Sequence, residues 1–322
     1  MFFKHTDMRD APIMAAAVVG ACRGEGWSDP FPPLLLEAIF GHLMEYPCNF
    51  STLEPVSIAE LRDAIPSQAG RSEVVDLMVT VELLCNPIPE SMEASVEAWA
   101  DGLDVDSEEL HVARELARGA QIQAQADFYR TSYIGRADAE QPGFDQLLEE
   151  YGPEAYVFTV VADPALEAKY ETLRDCAPGT LGRGLWEHYK QRGFVFPGVV
   201  GGANQALARH DWLHVLSGYE TTSIGEVELA AFRAMSTDFP GVGLGFLGNL
   251  IHYQSALLPS LVNGGHPGHE LEVDGVPERI AEALRRGKAC TLDPYGAIDL
   301  FDYADRQVDE LRTLWSIEIS PS

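Results

Sequence analysis

The sequence predicts a mostly α protein, with a helical N-terminal domain followed by an all-α C-terminal domain. Nearly every periodic segment places its apolar residues three and four positions apart, which is the spacing of an amphipathic helix. Alternating strand patterns are scarce. Hydrophobic residues make up 46% of the 322 residues, so packed cores can form and wholesale disorder is excluded.

Five segments in the first 175 residues have helical spacing. The segment that begins at Ser107 also carries a typical helix start, because Glu108 and Glu109 follow it. The best strand candidate is YVFTVVA at 156–162, and one short strand does not make a sheet. The predicted helical segments are MRDAPIMAAAVVGACR (8–23), PPLLLEAIFGHLME (32–45), SEVVDLMVTVELL (72–84), SEELHVARELARGAQIQAQADFYR (107–130) and PALEAKYETLRD (164–175).

Further along the chain, two helices are predicted to form a hairpin. ANQALARHDWLHVLSG (203–218) ends at Gly218, which enters the left-handed conformation at little cost. The next helix starts near Thr222 or Ser223 and continues through GEVELAAFRAM. A short connection of this kind makes the two helices antiparallel neighbours.

The length fits two domains, with a boundary in the polar stretch GRADAEQPGFD. We expect an acidic helical domain at 1–145, of unknown role, and a second domain at 146–322. Residues 1–150 hold 27 acidic and nine basic side chains, a net charge of −18. EAWADGLDVDSEEL (97–110) resembles the acidic helical domains of the tellurite-resistance TerB type, which implies a partner-binding or regulatory role.

The net charge of −28 excludes a nucleic-acid partner and disfavours electrostatic docking on anionic lipid. No signal peptide is visible at the N-terminus. The apolar segment 243–262 is broken by Asn249, His252, Gln254 and Ser255, so it is too polar for a membrane span. No CxxC pair occurs among the five cysteines, which fits a reducing compartment. We expect a cytoplasmic protein that contacts the inner face of a membrane peripherally, through apolar residues. The cysteines are Cys22, Cys48, Cys85, Cys176 and Cys290.

The stretch RHDWLHVLSGYETTSIGE is the strongest candidate site. His210 and His214 lie one helical turn apart, and Asp211 is three residues from His214, so the three side chains share one face. The hairpin can bring Glu226 opposite them. Two nitrogen and two oxygen donors suit a divalent metal, with zinc, iron and manganese as the candidates.

Two other interpretations of these residues remain open. Ser223 and Glu226 have capping-box spacing, so Glu226 could bond a backbone N–H instead. The His–Asp pair could also be a solvated patch of an acidic surface. A zinc protease, or another hydrolase with metal-bound water, is disfavoured because Asp211 stands where the protease motif needs glutamate.

Two further motifs carry weaker signals. Gly243, Gly245 and Gly248 spell a formal GxGxxG, but no strand precedes it and no ribose-binding acid is evident, so we exclude a dinucleotide site. His266 and His269 lie in the Gly/Pro segment GGHPGHE without a partner cysteine, and we expect them to be surface loop histidines.

The motif H-D-x-x-H, eleven residues and then E resembles the signature of the Coq4 family of ubiquinone biosynthesis proteins. PGTLGRGLWEHY (178–189), GEVELAAFRAMSTDFPGVGLGFLG (225–248) and ALRRGKA (283–289) resemble segments of the same family. So does FDYADRQVDELRTLWSI (301–317), with its Leu-Arg-x-x-x-x-Ile ending. The resemblance covers about residues 165–317.

The resemblance implies an all-α C-terminal domain that acts in ubiquinone biosynthesis or that of a related prenylated quinone. The implied reaction removes the C1 carboxyl of a polyprenylated benzoate and leaves a hydroxyl there. His210, Asp211, His214 and Glu226 would be the metal ligands, with zinc as the expected ion and iron or manganese as alternatives. The candidates for substrate contact are Gly179, Thr180, Gly182 and Gly245.

Replacing a carboxyl by a hydroxyl is an oxidation, and zinc has no redox chemistry. Either the electron-rich ring reacts with oxygen while the ion positions it, or the ion is iron or manganese. The alternative function is a non-catalytic, metal-stabilised scaffold that organises quinone-biosynthesis proteins. The cysteine-free ligand set favours catalysis, because closed structural zinc sites usually use cysteine. The acidic first half favours the scaffold.

Overall fold

A computed structural model describes residues 3–24, 26–117, 121–139, 141, 143–262, 264–296 and 298–319. These residues form sixteen α-helices and no β-sheet, which confirms the predicted fold class. The helices are α1 (Ala11–Cys22), α2 (Phe31–Leu43), α3 (Ile58–Ala64), α4 (Gln68–Leu84), α5 (Glu90–Leu103), α6 (Glu108–Ala117), α7 (Gln121–Thr131), α8 (Tyr133–Ala139), α9 (Phe144–Tyr151), α10 (Pro164–Glu171), α11 (Leu181–Arg192), α12 (Gln205–Ser217), α13 (Ser223–Ser236), α14 (Val242–Leu250), α15 (Val276–Ala289) and α16 (Val308–Leu314).

The predicted strand at 156–162 is wrong. Gly152–Tyr156 is a 3₁₀ helix, and Phe158 makes a single antiparallel bridge with Ala203. A strand needs a partner over several consecutive residues, and here only 157–159 forms backbone hydrogen bonds with 201–204. None of the helices within the described ranges is long and apolar enough to cross a membrane.

By spatial proximity the chain divides into two compact units. The first comprises residues 1–128 and 243–285, and the second comprises residues 129–242 and 286–322. This division differs from the predicted single boundary at residue 145, because 243–285 packs with the N-terminal helices. Packing between residues distant in sequence leaves no local composition signal, so the sequence could not show this arrangement.

In the first unit, α4 is the central helix and packs against α1, α2, α5 and α6. Its apolar residues surround the whole helix axis, which is typical of a helix buried on every side. Glu82 is one of its few ionisable residues and is only 2% exposed. Burial, with help from Glu93 and Glu97, raises the pKa of the Glu82 carboxyl to about 7.

In the second unit, α12 is the central helix and packs against α8, α11, α13 and α16. Trp212, Leu213 and Leu216 anchor it in the core, where each is at most 2% exposed. Residues three and four positions apart share a helix face, so burying this stripe fixes the rotation of α12. The rotation determines where the polar residues of the same helix point.

Candidate metal centre

Local signals fix both ends of α12, which carries three of the predicted ligands. The Asn204 side chain begins the helix by accepting a hydrogen bond from the Leu207 N–H at 2.8 Å. Gly218 ends it with φ of +81° and donates its N–H to the His214 carbonyl at 2.9 Å. The chain therefore changes direction immediately after the last helical turn of α12, which contains His214.

The connection to α13 is equally tight and orients Glu226. The Thr222 hydroxyl caps α13 by accepting the Gly225 N–H at 3.2 Å. A Cβ atom at Gly225 would lie 2.1 Å from the Glu220 carbonyl oxygen, so glycine is required there. The capping box considered for Ser223 and Glu226 is wrong, because the cap is Thr222 and Glu226 comes one position too late to close it.

The four predicted ligands lie together at the end of this hairpin. His210, Asp211 and His214 each offer one ligand atom, and these atoms lie within 4.8 Å of one another. Glu226 approaches the two histidines, with Oε1 at 3.2 Å from Nε2 of His214 and Oε2 at 3.8 Å from Nε2 of His210. Nε2 of His210 is 3.3 Å from Oδ1 of Asp211.

Backbone carbonyls determine which nitrogen of each imidazole faces this cluster. Nδ1 of His210 lies 2.6 Å from the Leu207 carbonyl oxygen, and Nδ1 of His214 lies 2.9 Å from the Tyr219 carbonyl oxygen. A carbonyl only accepts, so each Nδ1 carries the proton and donates it. Both Nε2 atoms then present lone pairs, as in histidines that bind metals through Nε2.

These Nε2 lone pairs face carboxylate oxygens, and such acceptors repel each other unless a proton or a cation lies between them. In the metal-free protein His214 is the group whose affinity for that proton increases. Burial disfavours its charged form, but Glu226 and then Asp211 outweigh burial and raise the pKa of His214. Burial also acts against the charged Glu226, yet His214 and His210 lower the pKa of its carboxyl to about 2.

The donor set fits a divalent ion. Two carboxylates would offset the charge of the ion, and two imidazoles complete a set that zinc, iron and manganese accept. Nε2 of His214 is buried and faces Oε1 of Glu226 at 3.2 Å, so it points into the cluster. The His210 and Glu226 side chains are 17% and 21% exposed, so the cluster opens to the surface on their side.

Two residues of α11 adjoin the cluster, although the sequence analysis did not single them out as site residues. The Tyr189 hydroxyl donates a hydrogen bond to Oδ2 of Asp211. Burial and then the Asp211 carboxylate raise the pKa of Tyr189, so the phenol keeps its proton and remains a donor. Hydrogen bonds of this kind hold metal-ligating carboxylates in orientation.

The second residue is His188, whose ring stacks on His214 with 5.3 Å between centroids. Burial, followed by its neighbours His214, Arg192 and His210, lowers the pKa of His188 to about 3, so the ring is neutral. Position on the buried face of α11 was the only sequence signal for either residue. Helical spacing predicts burial there but not which side chain lies opposite.

The predicted substrate contacts lie at several places. Thr180 caps α11, and its hydroxyl donates to the Ala177 carbonyl at 2.7 Å. A Cβ atom at Gly179 would lie 2.7 Å from Oε1 of Gln307, and one at Gly182 would lie 2.9 Å from Cβ of Ala304. Gly245 is on α14 and belongs to the first unit, whereas the four ligands belong to the second. Packing and capping therefore explain the presence of Gly179, Thr180 and Gly182 at these positions without a ligand.

No protein-family model matches this chain, and comparison with curated proteins finds no match.

Proposed function

We propose that this chain is a Coq4-like, metal-dependent enzyme in the biosynthesis of ubiquinone or a related prenylated quinone. Its reaction would replace the C1 carboxyl of a polyprenylated benzoate by a hydroxyl. One observation carries the proposal: two imidazole Nε2 atoms and two carboxylates converge beside the short connection of the hairpin. Their types and spacing are those of the Coq4-like motif.

In this proposal His210 and His214 hold the ion through Nε2, and Asp211 and Glu226 hold it through carboxylate oxygens. The bound ion would act as a Lewis acid toward a carboxylate or phenol oxygen of the substrate. The reaction releases carbon dioxide and adds one oxygen atom to the ring, a two-electron oxidation. It therefore requires an oxidant such as dioxygen.

Residues around the site suit an aromatic acid with a prenyl tail. Tyr189 orients Asp211, and the partial exposure of His210 and Glu226 leaves an approach from solvent. The segment after α11 exposes Phe194 and Val195 at 43% and 45%. The Phe194 ring lies 5.8 Å from that of Tyr189. This contact connects the exposed apolar surface at Phe194 to Tyr189, which hydrogen-bonds the proposed metal ligand Asp211. Such a surface can bury part of a prenyl chain.

Element analysis of purified protein, combined with a lipid extract, tests the metal and the ligand class together. We expect His210→Ala and His214→Ala each to carry one divalent ion fewer per chain than the wild type. We also expect an isoprenoid lipid to co-purify. Wild-type metal content in both variants would refute the ligand assignment.

A genetic experiment distinguishes the catalytic function from the scaffold function. The acidic N-terminal half favours the scaffold function. A strain that lacks the protein should accumulate a carboxylated prenyl-ring precursor, and the His210→Ala and His214→Ala variants should fail to clear it. Clearance of the precursor by a stable variant that binds no metal would contradict catalysis and favour the scaffold.

A further inference from the structure

His214 is the most deeply buried of the four proposed ligands, and its ring is held by a residue of the connection to α13. The His214 side chain is 1% exposed, against 21% for Glu226. Its Nδ1 donates to the Tyr219 carbonyl at 2.9 Å, which directs Nε2 into the cluster. Tyr219 lies between α12 and α13, outside both helices. The position of its carbonyl therefore depends on what the Tyr219 side chain contacts.

The Tyr219 side chain is anchored by Arg286 of α15, and the two residues are 4% and 2% exposed. Nη1 of Arg286 donates to the Tyr219 hydroxyl at 2.7 Å, and Nη2 donates to the Glu318 carbonyl. Both acceptors are uncharged groups, so these two bonds provide no ion pair that offsets the burial of the guanidinium charge. They do provide a fixed connection between Tyr219 and Glu318, because the guanidinium donors have a rigid planar geometry.

A second arginine connects the same part of the chain to the end of α12. Residues 308–318 contain α16 and are called the α16 segment below. Nε of Arg312 donates to the Leu216 carbonyl at 2.8 Å, and Nη2 donates to the Val215 carbonyl at 3.3 Å. The last carbonyls of a helix have no partner inside the helix, so these bonds satisfy acceptors at the end of α12. All of these residues belong to the second unit.

The α16 segment therefore contacts both supports of His214. Arg312 holds the last turn of α12, which carries the His214 backbone. The Glu318 carbonyl holds Arg286, and Arg286 holds Tyr219, whose carbonyl orients the His214 ring. A metal-ligating histidine depends on such a partner at its other ring nitrogen for orientation and for basicity.

We propose that ion binding at His214 and docking of the α16 segment are coupled, with Arg286 and Arg312 as positioning residues. The inference rests on the metal centre proposed above. An ion on Nε2 withdraws electron density from the ring, so Nδ1 becomes a stronger donor to the Tyr219 carbonyl. The stronger bond favours the docked arrangement. Coupling between two equilibria is reciprocal, so the docked segment also raises the affinity for the ion, and its release lowers metal occupancy.

Equilibrium dialysis of the chelator-treated full chain against Zn²⁺ tests one direction of the coupling. Arg286→Met and Arg312→Met keep an unbranched side chain and remove every donor, so we expect about tenfold or more weaker binding. Arg286→Lys can still donate to the Tyr219 hydroxyl and should recover part of the affinity. Arg306→Met is the matched control, because the Arg306 side chain is 50% exposed and pairs with Glu310. It should bind Zn²⁺ as the wild type does.

Hydrogen exchange with and without saturating Zn²⁺ tests the other direction. The Ile317 N–H donates to the Arg312 carbonyl at 2.8 Å, inside the α16 segment. The Thr291 N–H donates to the Trp315 carbonyl at 2.9 Å and so joins the segment to the chain that follows α15. Opening of the docked segment exposes both amides to solvent, so their exchange rates measure how often it opens.

In the wild type, Zn²⁺ should slow exchange at Ile317 and Thr291 about fivefold or more. The effect should be smaller in Arg286→Met at saturating Zn²⁺, because the connection to Tyr219 is lost. The control amide is that of Gly201, which donates to the Thr159 carbonyl at 3.0 Å in the same unit. Zn²⁺ should change its exchange less than that of the other two amides.

Wild-type Zn²⁺ affinity in both folded arginine variants would overturn the coupling, and so would an equal loss of affinity in Arg306→Met. Unchanged exchange at Ile317 and Thr291 in the wild type, or equal slowing at Gly201, would overturn it as well. The exchange measurement on the wild type decides the question even if a substitution prevents folding.

His210→Ala distinguishes failure of the coupling from failure of the proposed function. If His210→Ala binds Zn²⁺ as the wild type does, the metal assignment is wrong and the coupling fails with it. If His210→Ala loses the ion while Arg286→Met and Arg312→Met keep wild-type affinity, only the coupling fails. Circular dichroism of each metal-free variant verifies that it is folded.

Discussion

The substitution Glu226→Gln removes one charge from the candidate metal centre and keeps the shape of the side chain. Burial opposes the charged carboxyl of Glu226, but His214 and His210 lower its pKa from 4.5 to about 2. At full strength that shift corresponds to about 3 kcal/mol of folding stability. Because the side chain is 21% exposed, solvent screening reduces the effect, and we expect a loss of about 1–2 kcal/mol.

The loss should depend on pH, because the ion pair requires both charges. The lowered pKa of Glu226 contributes stability that is present above pH 4.5 and is lost as the pH falls through about 2. The raised pKa of His214 contributes stability that is present below pH 6.5 and is lost as the pH rises through its folded-state value. The pair is therefore strong near about pH 6, and the cost of Glu226→Gln should be smaller at about pH 9, where less of His214 is protonated.

Urea unfolding of chelator-treated protein at these two pH values measures the loss. Glu220→Gln is the matched control, since it changes the same functional group at a side chain that is 75% exposed. We expect the control to change stability by less than about 0.5 kcal/mol at either pH. An equal loss for Glu226→Gln at both pH values, or none near pH 6, would refute the proposed charge arrangement.

Three further substitutions test the centre and the core. Asp211→Asn should leave the helix content unchanged by circular dichroism and weaken Zn²⁺ binding about tenfold or more in equilibrium dialysis. Tyr189→Phe removes the donor to the buried Asp211, so we expect a loss of about 1–3 kcal/mol in urea unfolding and weaker Zn²⁺ binding. Glu82→Gln should stabilise the protein by up to about 3 kcal/mol above pH 7. Burial raises the pKa of the Glu82 carboxyl from 4.5 to about 7, so the wild-type folded state loses stability as the pH rises from 4.5 to 7. Glutamine carries no charge and avoids this loss. That gain should shrink by about 1 kcal/mol at about pH 6.

Each of these expectations has an outcome that contradicts it. If folded Asp211→Asn bound Zn²⁺ as tightly as the wild type does, Asp211 would not be a metal ligand. If Tyr189→Phe matched Tyr151→Phe, a change at an exposed tyrosine, the hydroxyl would not support Asp211. A pH-independent effect of Glu82→Gln would mean that Glu82 does not titrate between pH 6 and 8.

Local sequence patterns were sufficient for eight of the sixteen helices in the described part of the chain. Apolar spacing predicted α1, α2, α4, α12 and α13 because helical periodicity depends only on residues within a few turns. The predicted helix at 107–130 corresponds to α6 and α7, with residues 118–120 outside the described part of the chain. The error at 156–162 has the opposite cause, since β-branched residues favour a strand but cannot supply the neighbouring strand.

Contacts between side chains divide in the same way, into those that the local sequence predicts and those that only tertiary packing decides. His210, Asp211, His214 and Glu226 are brought together by one helical turn and one short connection, so the sequence by itself could predict that they meet. Only tertiary packing places Tyr189 against Asp211, or Arg286 against Tyr219. The two pairs are 22 and 67 positions apart in the sequence. Contacts at such separations depend on which buried helix faces fit one another, and no local pattern encodes that fit.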